Sequence, residues 1–318
     1  MSTPAHDLLV AAPERWDEAC FAVPAVRALI ASGLGVGIMC PPQQQAFWET
    51  IAKLKVMALP PHPKTIATAI AGPWQAALMW EEGAFATATK KAGIPRRVGP
   101  AEGKLAKLLT HPVPVRPGPP EHRVQFYLRP VAEMGIDAAK PEFFAPAIAG
   151  SNKKSHSILL APDSDFGPSH EWPIERWHEL VEFLLDRQAA LTIARFSNGR
   201  GLGQQVADQM KDRVAIHDLE DWNHLLPFLA TQSILIAADG SLPHLASHAG
   251  VTCITLFGPN DPAWKRPLGK RHTILRRHVE CAPCLLAKCP LDLRCQHELD
   301  GETVIQAVSD VLNASGHD

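Results

Sequence analysis

The stretch "SILLAPDSDFGPSHEWPIERWHELVEFL", residues 157–184, places an apolar run, a glycine-proline turn and a helical pattern one after another. The run 157–161 is typical of a buried strand, and Pro173 suits the first turn of a helix. Apolar side chains then recur on one face of that helix, at Ile174, Trp177, Leu180, Val181, Leu184 and Leu185. A strand followed by a helix with one apolar face is the repeating unit of a helix-covered parallel sheet.

The same alternation of apolar runs and helical patterns covers both halves of the chain. The further runs lie at residues 7–12, 36–40, 55–59, 75–80, 190–196, 213–217, 233–239 and 252–258. The polar segment 150–157 separates the halves, and Asp300 precedes a final amphipathic helix as its cap. We therefore predict an α/β protein of two doubly wound domains, 1–150 and 151–318. The proline-rich segment 111–122 is predicted to contain no regular element.

Composition and charge narrow the classes of function. The 318 residues carry a formal net charge of -2, with a pI near 6.7. A chain with this balance lacks the excess of basic residues that binds an anionic membrane or nucleic acid, so nucleic acid is excluded as a partner. The N-terminal residues contain neither a basic signal-peptide region nor an apolar stretch that spans a bilayer. We expect a cytoplasmic protein.

The loops that follow the apolar runs are the candidate sites, because open α/β sheets bind ligands beyond the carboxyl ends of their strands. Asp239 ends one run, and Gly240, Ser241 and Leu242 open the next helix. Free backbone N–H groups at a helix N-terminus favour a phosphate. The alternative is that Asp239 and Ser241 only cap that helix.

Basic side chains on two other loops are candidates to neutralise the negative charge of a phosphate. Lys265 and Arg266 follow the run 252–258, and Arg200 lies in the glycine-rich loop 196–205. The alternative for the pair Lys265 and Arg266 is that both are solvated surface side chains. The glycines around Arg200 do not have the spacing of the dinucleotide-binding fingerprint.

Two carboxylates, Asp17 and Glu18, come shortly after the first apolar run. A carboxylate at this position can act as a general base. Acidic residues also favour the first turn of a helix, which is the alternative explanation.

Four of the seven cysteines lie within fifteen residues. Cys281, Cys284, Cys289 and Cys295 form a C-x2-C-x4-C-x5-C pattern, and four thiolates satisfy tetrahedral zinc. The later spacing is not that of a standard zinc finger, so an iron–sulfur cluster and unliganded thiols stay open. The sequence predicts a structural metal rather than a catalytic one, because four thiolates leave no open position on the metal.

Two long stretches resemble the heptosyltransferases of glycosyltransferase family 9, which transfer ADP-activated heptose onto the inner core of lipopolysaccharide. They are "LLAPDSDFGPSHEWPIERWHELVEFL" and "AADGSLPHLASHAGVTCITLFGPNDP". In the N-terminal half, "WDEACFAVPAVRAL" and "AGIPRRVGP" are also similar to the family. The resemblance implies two Rossmann-like doubly wound domains facing a central cleft (GT-B type). The acceptor would bind the N-terminal domain and the nucleotide-sugar donor the C-terminal domain.

The resemblance further implies an inverting transfer that requires no cofactor for catalysis. Asp17 would be the base, and Asp239, Gly240, Ser241 and His244 would belong to the loop that binds the donor phosphates and sugar. The donor would be ADP-heptose and the acceptor a lipid-linked glycan, which implies peripheral contact with the inner membrane.

Three positions depart from the family pattern. Trp16 replaces the glycine before the base, and Asp163 replaces a glycine of the donor loop. His170, followed by Glu171, stands where the family has a lysine that would neutralise the leaving ADP. His170, Lys265, Arg266 and Arg200 are therefore the candidate charge stabilisers. These departures motivate a second hypothesis, a catalytically weak family member that binds a nucleotide sugar or glycan without efficient transfer. A metal-thiolate interaction module is a third.

Overall fold

A six-stranded parallel sheet forms the centre of each of two units, Met1–Ala145 and Pro146–Asp318. The computed structural model describes residues 7–115, 121–148, 157–196, 201–220 and 222–315. The predicted linker 150–157 lies almost wholly outside these ranges, as does Arg200.

The sheet of the first unit has the strand order β3-β2-β1-β4-β5-β6. Its strands are β1 (Leu8–Ala11), β2 (Val36–Cys40), β3 (Lys55–Ala58), β4 (Ala76–Leu78), β5 (Arg96–Pro100) and β6 (His111–Val113). The α-helices are α1 (Trp16–Ala31), α2 (Gln45–Glu49), α3 (Pro63–Ala69), α4 (Ala84–Lys91) and α5 (Val124–Glu133). Because the chain adds β2 and β3 on one side of β1 and then returns to the other side, the order reverses between β1 and β4.

The prediction that 111–122 contains no regular element is wrong at its beginning. His111–Val113 pairs in parallel with β5, and Pro112 lies opposite Gly99. This strand is at the edge of the sheet, where a proline is tolerated because one side of the strand makes no ladder hydrogen bonds.

The sheet of the second unit has the order β12-β11-β10-β7-β8-β9. Its strands are β7 (Ser157–Ala161), β8 (Ala190–Arg195), β9 (Ala215–Asp218), β10 (Ile234–Ala238), β11 (Thr252–Phe257) and β12 (Thr273–Arg276). The α-helices are α6 (Ile174–Leu185), α7 (Leu202–Met210), α8 (Trp222–Ala230), α9 (Ser241–His248), α10 (Pro262–Lys265), α11 (Arg294–His297) and α12 (Gly301–Ser315). Here the strand order reverses between β7 and β10.

The core of the second unit contains the predicted apolar face of α6. Trp177 and Leu180 are fully buried, and Trp177 packs edge-to-face on Trp172 with the ring centroids 5.6 Å apart. The indole N–H of Trp172 donates to the Leu299 carbonyl at 2.8 Å, so the start of α6 is tied to the segment before α12. Asp300 caps α12 as predicted, accepting the Thr303 N–H at 2.7 Å. In the described ranges, no helix has the length and apolar character needed to cross a bilayer.

Candidate functional site

The reversal between β7 and β10 in the second unit gathers most of the residues singled out from the sequence. Ligands of open α/β sheets bind at such a point, beyond the carboxyl ends of the strands. The loop after β7 and the start of α9 meet there, since the Ser164 hydroxyl donates to the Asp239 carbonyl at 2.6 Å. The loop after β11 joins them through Asn260, whose side-chain N–H donates to the Asp239 carboxylate at 2.7 Å.

Asp239 is the buried centre of this crevice, with no exposed surface. Its Oδ2 lies 3.0 Å from Nδ1 of His170, which is itself 2% exposed. Burial raises the pKa of Asp239, while His170, Asn260 and the charge of Lys265 act against that rise. The Oδ1 atom has no hydrogen-bond partner among the described residues, and an orphaned buried oxygen of this kind is uncommon. His170 therefore contacts Asp239, in the place where a ligand-facing lysine was expected.

The predicted phosphate cradle at the N-terminus of α9 holds a carboxylate of the chain itself. Asp165 accepts the Ser241 N–H at 2.7 Å and the Ser241 hydroxyl at 2.6 Å. A Cβ atom on Gly240 would lie 2.8 Å from the same carboxylate. Leu242 and His244 continue the first turn of α9, and His244 is buried. An anion bound at this helix terminus must therefore take the place of Asp165.

The two acidic departures from the family pattern have structural partners. Asp163 accepts the backbone N–H of Gly203 at 3.1 Å, at the start of α7. Glu171 accepts the backbone N–H of Ser164 at 3.2 Å, within its own loop. Burial is the main cause that raises the pKa of each carboxyl, and the backbone hydrogen bonds oppose it. Both side chains thus fix the loops that surround Asp239.

The basic candidates differ in their positions. Lys265 is 6% exposed, and its Nζ lies 5.2 Å from the ring centroid of Phe166 and 5.1 Å from that of Trp264. Because Phe166 belongs to the loop after β7, Lys265 lies beside the crevice. Arg266 follows α10 and is exposed. Arg200, the third basic candidate, lies outside the described residues.

A cavity of about 100 Å³ lies at the corresponding reversal in the first unit. It is lined by the segment from Ala11 to Glu14 after β1, by the segment from Trp80 to Ala86 after β4, and by Met39, Pro41 and Leu59. Its lining includes the carboxylates of Glu14, Glu81 and Glu82, and, within the described ranges, no Lys, Arg or His. Burial and then the charge of Glu18 raise the pKa of Glu81, against the opposing effect of Arg123.

The two carboxylates at the start of α1 have different partners. Asp17 is fully buried and forms a two-point ion pair with Arg15, at 3.0 and 3.2 Å. Glu18 accepts the Tyr127 hydroxyl at 2.6 Å and the Arg123 Nε–H at 2.8 Å. Neither carboxylate lines the cavity. The position of Asp17 in the first turn agrees with its alternative explanation as a helix-terminal acid.

The four clustered cysteines are free thiols. Burial, followed by the nearby thiols of Cys281, Cys284 and Cys289, raises the pKa of Cys295 to about 11. The four side chains are therefore neighbours. As they are arranged, however, no three of the His, Cys, Asp or Glu side chains in the described part of the chain form a set that could hold a metal ion.

Comparison with known proteins identifies the family. The family description "Glycosyltransferase family 9 (heptosyltransferase)" matches residues 122–294, more than half of the chain. The chain belongs to this family. Lipooligosaccharide heptosyltransferase 2 of Haemophilus ducreyi is 26% identical to this family 9 chain over 172 residues, which are 50% of the chain and 47% of that relative. The chain spans less than half the length of the curated relatives it matches.

Two solved structures of Escherichia coli proteins have the same fold as this family 9 chain. The ADP-heptose lipopolysaccharide heptosyltransferase II matches with a TM-score of 0.81 and 16% identity, over 98% of this chain and 99% of that one. Heptosyltransferase WaaC with ADP matches with a TM-score of 0.75 and 14% identity, over 96% and 99%. The predicted fold class, with two Rossmann-like units of the GT-B type, is confirmed.

Two residues of these sites were missed by the sequence analysis. Asp165 lies in the quoted donor loop, but its contact with Ser241 depends on β7 and β10 being neighbours. Glu81 directly follows a predicted strand, yet only the pairing of β1 with β4 places it at the reversal point. Both are acidic residues that follow a predicted strand, so the sequence could have marked them as candidates. Their neighbours could not be predicted, because the order of the strands in each sheet was not known.

Proposed function

We propose that the chain is an inverting glycosyltransferase that transfers heptose from ADP-heptose to a lipopolysaccharide core or similar glycan acceptor. Membership of family 9 supports the class of reaction. The observation that carries the proposal is the crevice between β7 and β10. Three separate loops there bring His170, Lys265 and the N-terminus of α9 around buried Asp239.

The donor diphosphate would bind at the N-terminus of α9. Backbone N–H groups and the helix dipole favour an anion at that point. Lys265 would contribute a charge-assisted contact, and the orphaned Oδ1 of Asp239 would accept a hydroxyl or N–H of the donor. ADP is proposed as the nucleotide because the structurally similar WaaC is described with ADP. The carboxylate of Asp165 has to leave Ser241 before the diphosphate enters.

The acceptor would bind the first unit, with a carboxylate as the base. The base takes the proton of an acceptor hydroxyl while the acceptor oxygen forms a bond to the anomeric carbon. The bond from that carbon to the diphosphate breaks, and its electron pair leaves with ADP. We assign the base to Asp17. Glu81 is the competing candidate, because it lines the cavity whereas Asp17 is buried against Arg15.

A second candidate function, binding of a nucleotide sugar without efficient transfer, is favoured by one observation. The positions that would neutralise the diphosphate are engaged within the chain, since Asp165 caps α9 and His170 contacts Asp239. In this alternative, Asp165 keeps its contact with Ser241 and His170 keeps its contact with Asp239, so neither the N-terminus of α9 nor His170 neutralises the donor diphosphate.

The cysteine cluster is proposed as a structural site for zinc or an iron–sulfur cluster, outside the reaction itself. Thiolates are suitable ligands for both. The present arrangement does not form a complete ligand set in the described ranges, so binding would require the four thiols to move together. Elemental analysis of protein purified without chelator tests this. We also propose that the protein works in the cytoplasm, where a nucleotide sugar is available.

The transfer reaction is tested by mass spectrometry of an acceptor glycan incubated with ADP-heptose. Wild type should add one heptose, and Asp17→Asn should abolish transfer while ADP affinity stays within about twofold, because the substitution lies in the other unit. Glu133→Gln, an exposed carboxylate on α5, is the matched control. Near-normal turnover of Asp17→Asn, with loss of turnover in Glu81→Gln, would move the base to Glu81. ADP binding without turnover in wild type would favour the second candidate.

A further inference from the structure

A buried glutamine contacts two of the loops that surround Asp239. Gln296 belongs to the short helix α11, distant in sequence from both loops, and its side chain is fully buried. The side-chain N–H donates to the Ser169 carbonyl at 3.2 Å, in the loop after β7. The same amide packs on Gly258, in the loop after β11, so closely that a Cβ atom on Gly258 would overlap its nitrogen. One side chain therefore connects the two loops.

The side chains that contact Asp239 directly follow these two points of contact. His170, whose Nδ1 lies 3.0 Å from the Asp239 carboxylate, comes immediately after the residue that accepts the Gln296 hydrogen bond. Asn260, which donates to the same carboxylate oxygen at 2.7 Å, comes two residues after Gly258. The separation of the two loops decides whether both contacts form at once. Gln296 sets that separation, because it touches both loops.

The segment before α11 reinforces the same connection through its backbone. The Leu285 N–H donates to the Pro259 carbonyl at 2.9 Å, in the loop after β11. The Ser169 N–H donates to the Ala287 carbonyl at 3.2 Å, so the loop after β7 is also held. By contrast, Gln296 makes its contacts through a side chain. A substitution can therefore remove them without altering the backbone hydrogen bonds.

We propose that Gln296 is a positioning residue of the donor crevice, which holds the two loops at the separation where His170 and Asn260 both reach the buried carboxylate. This inference rests on the proposed function, in which the crevice binds the donor. An imidazole reaches only a short distance from its backbone, so the place of its loop determines which groups His170 can contact. Small displacements of groups that orient a substrate cost up to about 100-fold in rate. Gln296 thus acts on the reaction through His170.

Gln232 provides a matched control in the same unit. It is 4% exposed and donates one side-chain hydrogen bond, to the Thr231 hydroxyl at 2.9 Å. Like that of Gln296, its buried Oε1 has no hydrogen-bond partner among the described residues. Gln232 lies before β10, at the opposite end of the strand from Asp239. Replacing either glutamine with methionine keeps most of the buried volume and removes one hydrogen bond, so both variants should lose similar stability.

The NMR signal of the His170 ring reports the position of its loop without any donor or acceptor. The signal is assigned by its absence in His170→Gln. We expect Gln296→Met to shift it and Gln232→Met to leave it in place. In the transfer assay, Gln296→Met should lower kcat/KM for ADP-heptose about 10- to 100-fold, because an orienting group is displaced. The KM for the acceptor should stay unchanged, and Gln232→Met should retain wild-type kinetics.

Gly258→Ala tests the same contact from the other loop. The added methyl group displaces the Gln296 amide, so this variant should also shift the His170 signal. Combined with Gln296→Ala, it should have little further effect, because the side chain that the methyl group meets is then absent. This variant decides the question if Gln296→Met does not fold.

Three results would overturn the proposal: an unchanged His170 signal in folded Gln296→Met, an equal shift in Gln232→Met, or additive effects of the substitutions at 258 and 296. Absence of transfer by wild type would instead refute the proposed function. The His170 signal would still show whether Gln296 positions its loop.

Discussion

Replacing Asp165 with asparagine changes the charge, and little else, at the N-terminus of α9. Asparagine can still accept the Ser241 N–H, so the loss of folding stability should be only a few tenths of a kcal/mol. Two unit charges 5 Å apart repel by about 3 kcal/mol at an effective dielectric constant of about 20. Because Asp165 is exposed, solvent and salt reduce this for a bound diphosphate to about 1–2 kcal/mol. We therefore predict that Asp165→Asn binds ADP about 5- to 30-fold more tightly than wild type.

Calorimetric titration with ADP measures this effect, and Asp212→Asn is the matched control. Asp212 is exposed in the same unit, after α7, so its substitution removes one charge away from the crevice. The control should change ADP affinity by less than about twofold, because an exposed charge beyond a Debye length is screened. Unchanged affinity in Asp165→Asn would refute the assignment of the cradle to α9. Weaker binding would show that Asp165 itself contacts the ligand.

Two further predictions concern titratable groups. The pKa of Glu81 is raised, so its protonated form favours the folded state and wild type loses stability as the pH rises through that pKa. Glu81→Gln should therefore melt at a higher temperature than wild type at pH ~7, with no difference below pH ~4, and equal melting at both would contradict a raised pKa of this carboxyl. Burial raises the pKa of Cys40 to about 12, and Cys20 and Cys253 are also buried. Iodoacetamide should first modify Cys281, Cys284 and Cys289, which are partly exposed, and peptide mass spectrometry would reveal any early modification of the buried thiols.

Most central strands could be predicted from the sequence because they are buried on both faces and are therefore continuous apolar runs. The exception is β5, which begins with two arginines and has an exposed first residue. β2 and β7 were predicted with the bounds that the structure has. The edge strands β6 and β12 could not be predicted in this way, whereas the runs 55–59 and 213–217 predicted the edge strands β3 and β9. β6 contains a proline, and β12, with its exposed Arg276, is only partly buried, so neither has the apolar run of a central strand.

The candidate donor site could be predicted only as a set of loops. Asp239 and Lys265 were singled out because each follows a strand, and the structure places Asp239 at the centre of the crevice and Lys265 beside it. The contacts of Asp165 and His170 depend on the chain returning after β9 to place β10 beside β7. A local sequence pattern does not predict which strands become neighbours.

A structure of the chain with ADP tests the central claim most directly. The diphosphate oxygens should lie about 3 Å from the Ser241 backbone nitrogen, with Lys265 Nζ in contact with them and the Asp165 side chain turned away. ADP bound elsewhere, or a crevice in which Asp165 keeps both hydrogen bonds to Ser241 at saturating ADP, would contradict the account.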